Sequence, residues 1–241
     1  MNNSSLISII SNKGGTGKTS ISICFAYYFS KIKNKKTLLI ELDSSPGDFG
    51  VLFGIGPEKS IEMALKFPSK LRNYVRNFFD NLDVLKGFSN PILAENIDPK
   101  DTYELFSIIQ ETYDVVIIDT QNVINGIILD VLKISRFVFL LSETSVESVF
   151  RNVELVNLLK GKFNLDLNNL FLLINKKRIL DFLNFREISK LTSFPIFGFV
   201  TYDKHFDKSM VLSNKEKIFN TRLFSNVNRI LNNFYICNWE K

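Results

Sequence analysis

Histidine occurs once in this chain of 241 residues, as His205, and cysteine twice, as Cys24 and Cys237. A single histidine gives no support to histidine-based catalysis or to a histidine metal site. The two cysteines are far apart and neither has the spacing of a metal or cluster motif, so a reducing compartment is the simple expectation. Cys24 falls in an apolar stretch and reads as a small buried residue. No apolar run approaches the roughly twenty residues that a membrane-spanning helix requires. Met1 to Ser5 has neither the basic region nor the cleavage site of a secretory leader, so the chain is expected in the cytoplasm. Linker-like stretches of proline, glycine and serine are absent, and so are internal repeats. One α/β domain over residues 1–241 is therefore expected, with a core large enough to be stable alone. Charge of neither sign dominates. The net charge of +5 is compatible with a basic surface that attracts phosphate backbones or anionic lipid, and equally with lysines that only solvate element ends.

What is present is concentrated near the N-terminus. An apolar run, Leu6 to Ile10, precedes Asn12-Lys13-Gly14-Gly15-Thr16-Gly17-Lys18-Thr19-Ser20, and the apolar stretch Ile21 to Phe29 follows. Strand, glycine-rich loop and helix are the context of a phosphate-binding loop. Gly14, Gly15 and Gly17 allow backbone N–H groups to wrap phosphate oxygens without a Cβ in the way. A helix that starts near Lys18 directs its positive end at the same anion. Lys18 supplies a point charge to the β- and γ-phosphates, the Thr19 hydroxyl is the expected Mg²⁺ ligand, and Thr16 and Ser20 complete the nucleotide-binding segment.

The plain motif places a glycine where Asn12 stands, and a second lysine, Lys13, follows it. The string Lys13 to Thr19 resembles the deviant Walker A motif of the ParA/MinD family of ATPases. That resemblance implies that Lys13 reaches across an ATP-sandwich homodimer to the partner's nucleotide. It continues along the chain. Thr37 to Asp43, followed by Ser44-Ser45-Pro46-Gly47-Asp48, is similar to the family's switch I, which implies that Asp43 orients the attacking water and lies near the metal. Where the family often has another Asp, this chain has Glu41. Tyr113 to Thr120 resembles the Walker B strand, and an apolar run of β-branched residues ending in Asp is what a central parallel strand presenting a carboxylate to a metal should look like. The resemblance implies that Asp119 is a metal residue, while Gln121-Asn122 stands where family members commonly have Pro-Pro. Leu170 to Asn175 looks like the strand whose terminal amide reads adenine, a task that suits a group able to donate and accept. Pro195 to Asp203 is similar to the segment beside the base and brings in Thr201 and Asp203. Asp48 to Phe53, Leu82 to Gly87 and the stretch to Asp98 look like the CpaE/TadZ pilus-assembly branch.

A coarse pass expects strands near 6–11, 37–42, 82–86, 114–119, 136–142, 169–174 and 195–200, with helical patterns between them. This is a doubly wound α/β fold, a mostly parallel sheet with helices on both faces. The phosphate, metal and base motifs all fall at C-terminal strand ends, where open α/β sheets bind ligands. Residues 57–79 show helical apolar spacing (Ile61, Ala64, Leu65, then Leu71, Tyr74, Val75, Phe78). The apolar stripe Leu223, Phe224, Val227, Ile230, Leu231, Phe234, Tyr235 reads as a final core helix rather than a membrane anchor, although Trp239 would suit a lipid interface. The expected activity is a slow Mg²⁺-dependent ATPase that works as a switch for a pilus, secretion or cell-pole machine through a localising or activating protein. Two alternatives stay open: a DNA-segregation ATPase that binds DNA non-specifically, and a nucleotide-binding scaffold that hardly hydrolyses ATP.

Overall fold

Each of the four central strands is buried along its whole length: β1 (Ser5–Ile10), β2 (Thr37–Leu42), β5 (Val115–Thr120) and β6 (Phe137–Ser142). Burial on both faces explains why these segments read as continuous apolar runs instead of alternating ones. The computed structural model describes residues 4–43, 47–90, 94, 97–178, 181, 183–206 and 215–238. Residues 44–46 of the expected switch I segment and Trp239 lie outside these. Four further strands complete one eight-stranded sheet: β3 (Arg76–Phe79), β4 (Leu82–Leu85), β7 (Leu170–Lys177) and β8 (Ile196–Thr201). The order is β3-β4-β2-β5-β1-β6-β7-β8, parallel throughout except for the β3–β4 pair at one edge.

The helices are α1 (Lys18–Tyr27), α2 (Phe49–Phe53), α3 (Ile61–Lys66), α4 (Leu71–Tyr74), α5 (Pro99–Thr112), α6 (Gly126–Ile134), α7 (Val146–Gly161), α8 (Phe185–Leu191) and α9 (Arg222–Asn238). Two cores follow from the pleat. Ile7, Ile9, Leu39, Ile117 and Phe139 face α1 and α9. Leu6, Ile10, Leu38, Ile118 and Leu140 face the opposite layer, which includes α5, α6 and α7. The doubly wound architecture read from the sequence is the observed one.

The stripe on α9 is core. Leu223, Phe224, Val227, Leu231 and Phe234 are buried, and the Phe234 ring packs at 4.9–5.3 Å from Phe137, Phe171 and Phe197. Gly198 of β8 lets Ile230 approach, since a Cβ there would lie 3.0 Å from its side chain. Among the described residues no helix is long and apolar enough to cross a membrane.

One expectation needs correction. The helical spacing over 57–79 holds through α3 and α4 but fails at Val75, whose backbone turns extended at φ −83° and ψ 153°. Arg76–Phe79 is instead the antiparallel edge strand β3. Phe78 there packs on Phe53 at 4.8 Å and beside Tyr27 at 6.4 Å. A pair of phenylalanines, Phe78 and Phe79, meeting an aromatic cluster favours strand over the helix that the local spacing also permits.

Candidate functional site

Ser11 and the loop 12–17 leave the end of β1 and turn directly into α1. Gly15 and Gly17 adopt φ +72° and +91°, in the left-handed region that side chains disfavour. At Gly17 a Cβ would also stand 2.5 Å from the Asn175 Nδ2, so close approach demands glycine as well. No side chain caps α1 at its start. Its first N–H groups and its positive dipole end are left to an anion.

Lys18 is the buried cation of this cradle. Its ammonium donates to Ser11 Oγ at 3.2 Å and to Asn122 Oδ1. Burial pulls its pKa below the usual lysine value, against the opposing charges of Asp119 and Asp43. Thr19 Oγ1 donates to Asp119 Oδ2 at 2.8 Å, and Ser22 Oγ, one turn on, donates to Oδ1 at 3.0 Å. Burial pushes the Asp119 carboxyl up to about 6, although the Thr19 and Ser22 hydroxyls and the Lys18 charge work the other way. Among the described residues no group of three His, Cys, Asp or Glu could hold a metal by itself. Thr19 and Asp119 fit the other arrangement, in which Mg²⁺ takes one or two protein oxygens and is completed by water and substrate phosphate.

Beside the cradle lies a cleft of about 390 Å³, lined by Gly15 to Ser20 (Thr16 excepted), Asn175, Thr201, Asp203, Phe206 and Leu223 among others. Its size suits a small-molecule ligand. Asn175 Nδ2 donates to Thr16 O at 2.8 Å and so ties β7 to the loop. Its Oδ1 is buried with no partner. An orphaned buried acceptor is costly, and a ligand amino group would satisfy it. Thr201 and Asp203 line the same cleft, yet their side chains have structural partners. Asp203 accepts from Leu223 N at 3.1 Å, at the start of α9, and from His205 N at 3.0 Å. Thr201 Oγ1 meets Asn226 Oδ1 at 3.4 Å.

Asp43 follows β2, and its charge acts on both Lys18 and Asp119. Two residues earlier Glu41 is buried, accepting from Phe49 N at 3.1 Å and Gly87 N at 3.0 Å. Burial raises its carboxyl to about 7, against those two hydrogen bonds. Glu41 thereby ties the segment after β2 to the segment after β4.

Lys13 does not line the cleft. Its ammonium pairs with Glu143 Oε2 at 3.0 Å, while Lys176 pairs with Glu143 Oε1 at 3.3 Å. Burial alone would raise the Glu143 carboxyl, but the two ammonium groups hold it below the usual carboxylate value. Lys176 sits at φ +57°, uncommon for a side-chain-bearing residue, and also donates to Gly15 O. The loop is anchored further by Asn12, which bonds Asn152 Oδ1 at 3.1 Å and Arg151 O at 2.8 Å on α7.

The sequence reading missed Ser11, Ser22, Asn122, Glu143 and the contacts of Lys176. Two of these carried a signal: Glu143 is the first charge after an apolar strand, and Ser22 lies one helical turn beyond Thr19. Asn122 was visible as a departure from Pro-Pro, without an indication of what it touches.

The fold and the sequence both have known relatives. An uncharacterized ATP-binding protein of Methanocaldococcus jannaschii is 25% identical over 208 residues, which make up 83% of this chain and 74% of that protein. A ParA family ATPase from Chlorobium tepidum shares the fold with a TM-score of 0.83 at 21% identity, over 96% of this chain and 99% of the other. The septum site-determining protein MinD of Pyrococcus horikoshii, solved with Mg-ADP, does so with a TM-score of 0.80 at 16% identity, over 99% of each. Residues 7–212, from within β1 to beyond β8, match the CobQ/CobB/MinD/ParA nucleotide binding domain, and the chain belongs to that family.

Proposed function

We propose that residues 1–241 act as one cytoplasmic ATPase domain, a Mg²⁺-dependent switch of the deviant Walker A type that closes as an ATP-sandwich homodimer and opens on slow hydrolysis. The observation that carries this reading is the Lys18–Thr19–Asp119 cluster at the uncapped start of α1. Lys18 and the amides of Gly14 to Thr19 hold the phosphates and stabilise charge developing on the transferred phosphoryl group. Thr19 and Asp119 would hold Mg²⁺, which when bound neutralises charge on the β- and γ-oxygens. Asp43 positions the attacking water, and Lys13 contributes from the opposite subunit. The unpartnered Asn175 Oδ1 supports adenine over guanine, because adenine presents an amino group where guanine presents a carbonyl oxygen. Thr201 and Asp203 shape the wall beside the base.

Within the family we favour positioning of a pilus, secretion or cell-pole machine through a protein partner. The segments resembling the CpaE/TadZ branch, Asp48 to Phe53 and Leu82 to Gly87, are tied together by Glu41, so a nucleotide-driven shift near Asp43 would reach both of them. Phosphate release and light scattering with ATP and Mg²⁺ test the reading on the parent and on Asp43→Ala. The parent should dimerise and turn over slowly, and the variant should stay dimeric with little phosphate released. A parent that neither dimerises nor hydrolyses ATP overturns the switch. ATP-dependent, salt-sensitive DNA binding would move it to the segregation class.

A further inference from the structure

Asn122 lies in the loop between β5 and α6, the sheet's next strand to the glycine-rich loop. Its side chain closes over that loop. The amide oxygen accepts from Lys18 Nζ and lies 3.4 Å from Ser11 Oγ, and Nδ2 comes within 3.3 Å of where a Cβ on Gly14 would stand. Lys18 is the cation that a bound triphosphate needs, yet its hydrogen bonds here go to a serine hydroxyl and to this amide oxygen. A carbonyl oxygen is a neutral imitation of a phosphate oxygen: it carries the lone pairs and partial charge that an ammonium seeks.

The direction of approach decides which phosphate it imitates. The β-phosphate position lies inside the cradle, enclosed by the amides that follow Gly14. Asn122 reaches Lys18 from the loop after β5, over Gly14 and from outside those amides, which leaves the third phosphate as the one it imitates. We propose that Asn122 is a specificity-determining residue that discriminates ADP from ATP, its amide oxygen occupying Lys18 whenever the third phosphate is absent. The inference rests on the nucleotide-binding role proposed above. With ADP in the cradle the amide oxygen keeps its place on Lys18. With ATP the γ-phosphate oxygens and the amide oxygen compete for the same ammonium, and the amide must withdraw.

Calorimetric titration of Mg-ATP and Mg-ADP into the parent, Asn122→Ala and Asn122→Asp tests this. Asn122 is exposed on a loop, so both variants should fold, which circular dichroism checks. Asn122→Ala removes the competitor and should raise the preference for ATP over ADP by about three- to tenfold, the range of one net hydrogen bond. Asn122→Asp places a full negative charge where the third phosphate must go and should shift the preference towards ADP by about tenfold or more. A parent that binds neither nucleotide overturns the nucleotide-binding reading itself. A parent that binds both, with a preference unmoved by either variant, overturns the role of Asn122 and leaves that reading intact. A preference for ATP that falls in Asn122→Ala also overturns it, since Asn122 would then be a donor to bound ATP.

Discussion

Glu143→Gln offers a direct test of whether Lys13 must change partners. In the single chain Lys13 is held in cis, 3.0 Å from Glu143, with both side chains partly exposed at 34% and 25%. Such a solvent-screened pair contributes about 0.2–1 kcal/mol. If Lys13 reaches the opposite nucleotide in the proposed dimer, this pair breaks once in each protomer, so association loses about 0.4–2 kcal/mol. Gln at 143 is nearly isosteric and removes the charge. The dimer should then tighten by roughly 2- to 30-fold, at 1.4 kcal/mol per tenfold. Lys13→Ala should move the other way, because a desolvated cross-subunit charge contact is worth about 2–5 kcal/mol when one partner is deleted. Sedimentation equilibrium with Mg²⁺ and a non-hydrolysable ATP analogue measures both constants. The gain in Glu143→Gln should shrink as salt is raised, since the pair it removes is already screened. Neither residue lines the cleft, so ATP affinity of the monomer should stay within a few-fold of the parent. A Glu143→Gln dimer that is no tighter, or a Lys13→Ala dimer as tight as the parent's, refutes the exchange of partners.

Lys18→Ala should lower ATP affinity at least about tenfold, because a hydrogen bond to a charged group contributes about 1.5–3 kcal/mol; unchanged affinity by calorimetry would remove Lys18 from the phosphates. Asn175→Ala should narrow the ATP-over-GTP preference, measured by competition. It should also weaken both nucleotides modestly, since Asn175 Nδ2 braces Thr16 O; an unchanged ratio would place base recognition elsewhere. Leu231→Ala, at a position 2% exposed under α9, should cost about 2–5 kcal/mol in urea unfolding. A loss below 1 kcal/mol would mean that α9 is not part of the core.

The parts of the site that were legible in the sequence are those whose chemistry is local. A loop that must wrap phosphate needs Gly15 and Gly17 in the left-handed region and a lysine at the helix start, so the pattern is compressed into a few residues. Asp119 and Asn175 were legible for a second reason: each ends an apolar run, and buried parallel strands point their C-terminal ends at the ligand. What stayed hidden depends on distance along the chain. Lys13 and Glu143 are 130 positions apart, and Lys18 and Asn122 are 104 apart. Nothing in either neighbourhood names its partner. Asp203 shows the same limit from the other side: its carboxylate caps a helix that begins almost twenty residues later, across a segment the local pattern cannot span. The edge strand β3 was hidden because Leu71, Tyr74, Val75 and Phe78 satisfy helical spacing, and only the aromatic cluster beneath decides against it.

The winding of the sheet explains why one crevice collects these groups. β1 and β5 are neighbours, but β1 continues through α1 to β2, and β5 continues through α6 to β6 on the far side. The two loops part, leaving Lys18 facing Asp119, with Asp43 arriving from β2. The balance of charge there is uneven: Lys18 is the buried cation, against the carboxylates of Asp119 and Asp43. Free ATP would bring further negative charge against them. At an effective dielectric of 20, like unit charges 4 Å apart repel by about 4 kcal/mol. Even a third of that is about tenfold in affinity. ATP binding should therefore weaken at least about tenfold when EDTA replaces Mg²⁺, and Asp119→Asn, which removes one of the opposing charges, should narrow that difference. Calorimetry of both proteins with and without Mg²⁺ decides it. Equal ATP affinity of the parent under the two conditions would mean that Thr19 and Asp119 bond to each other and hold no metal.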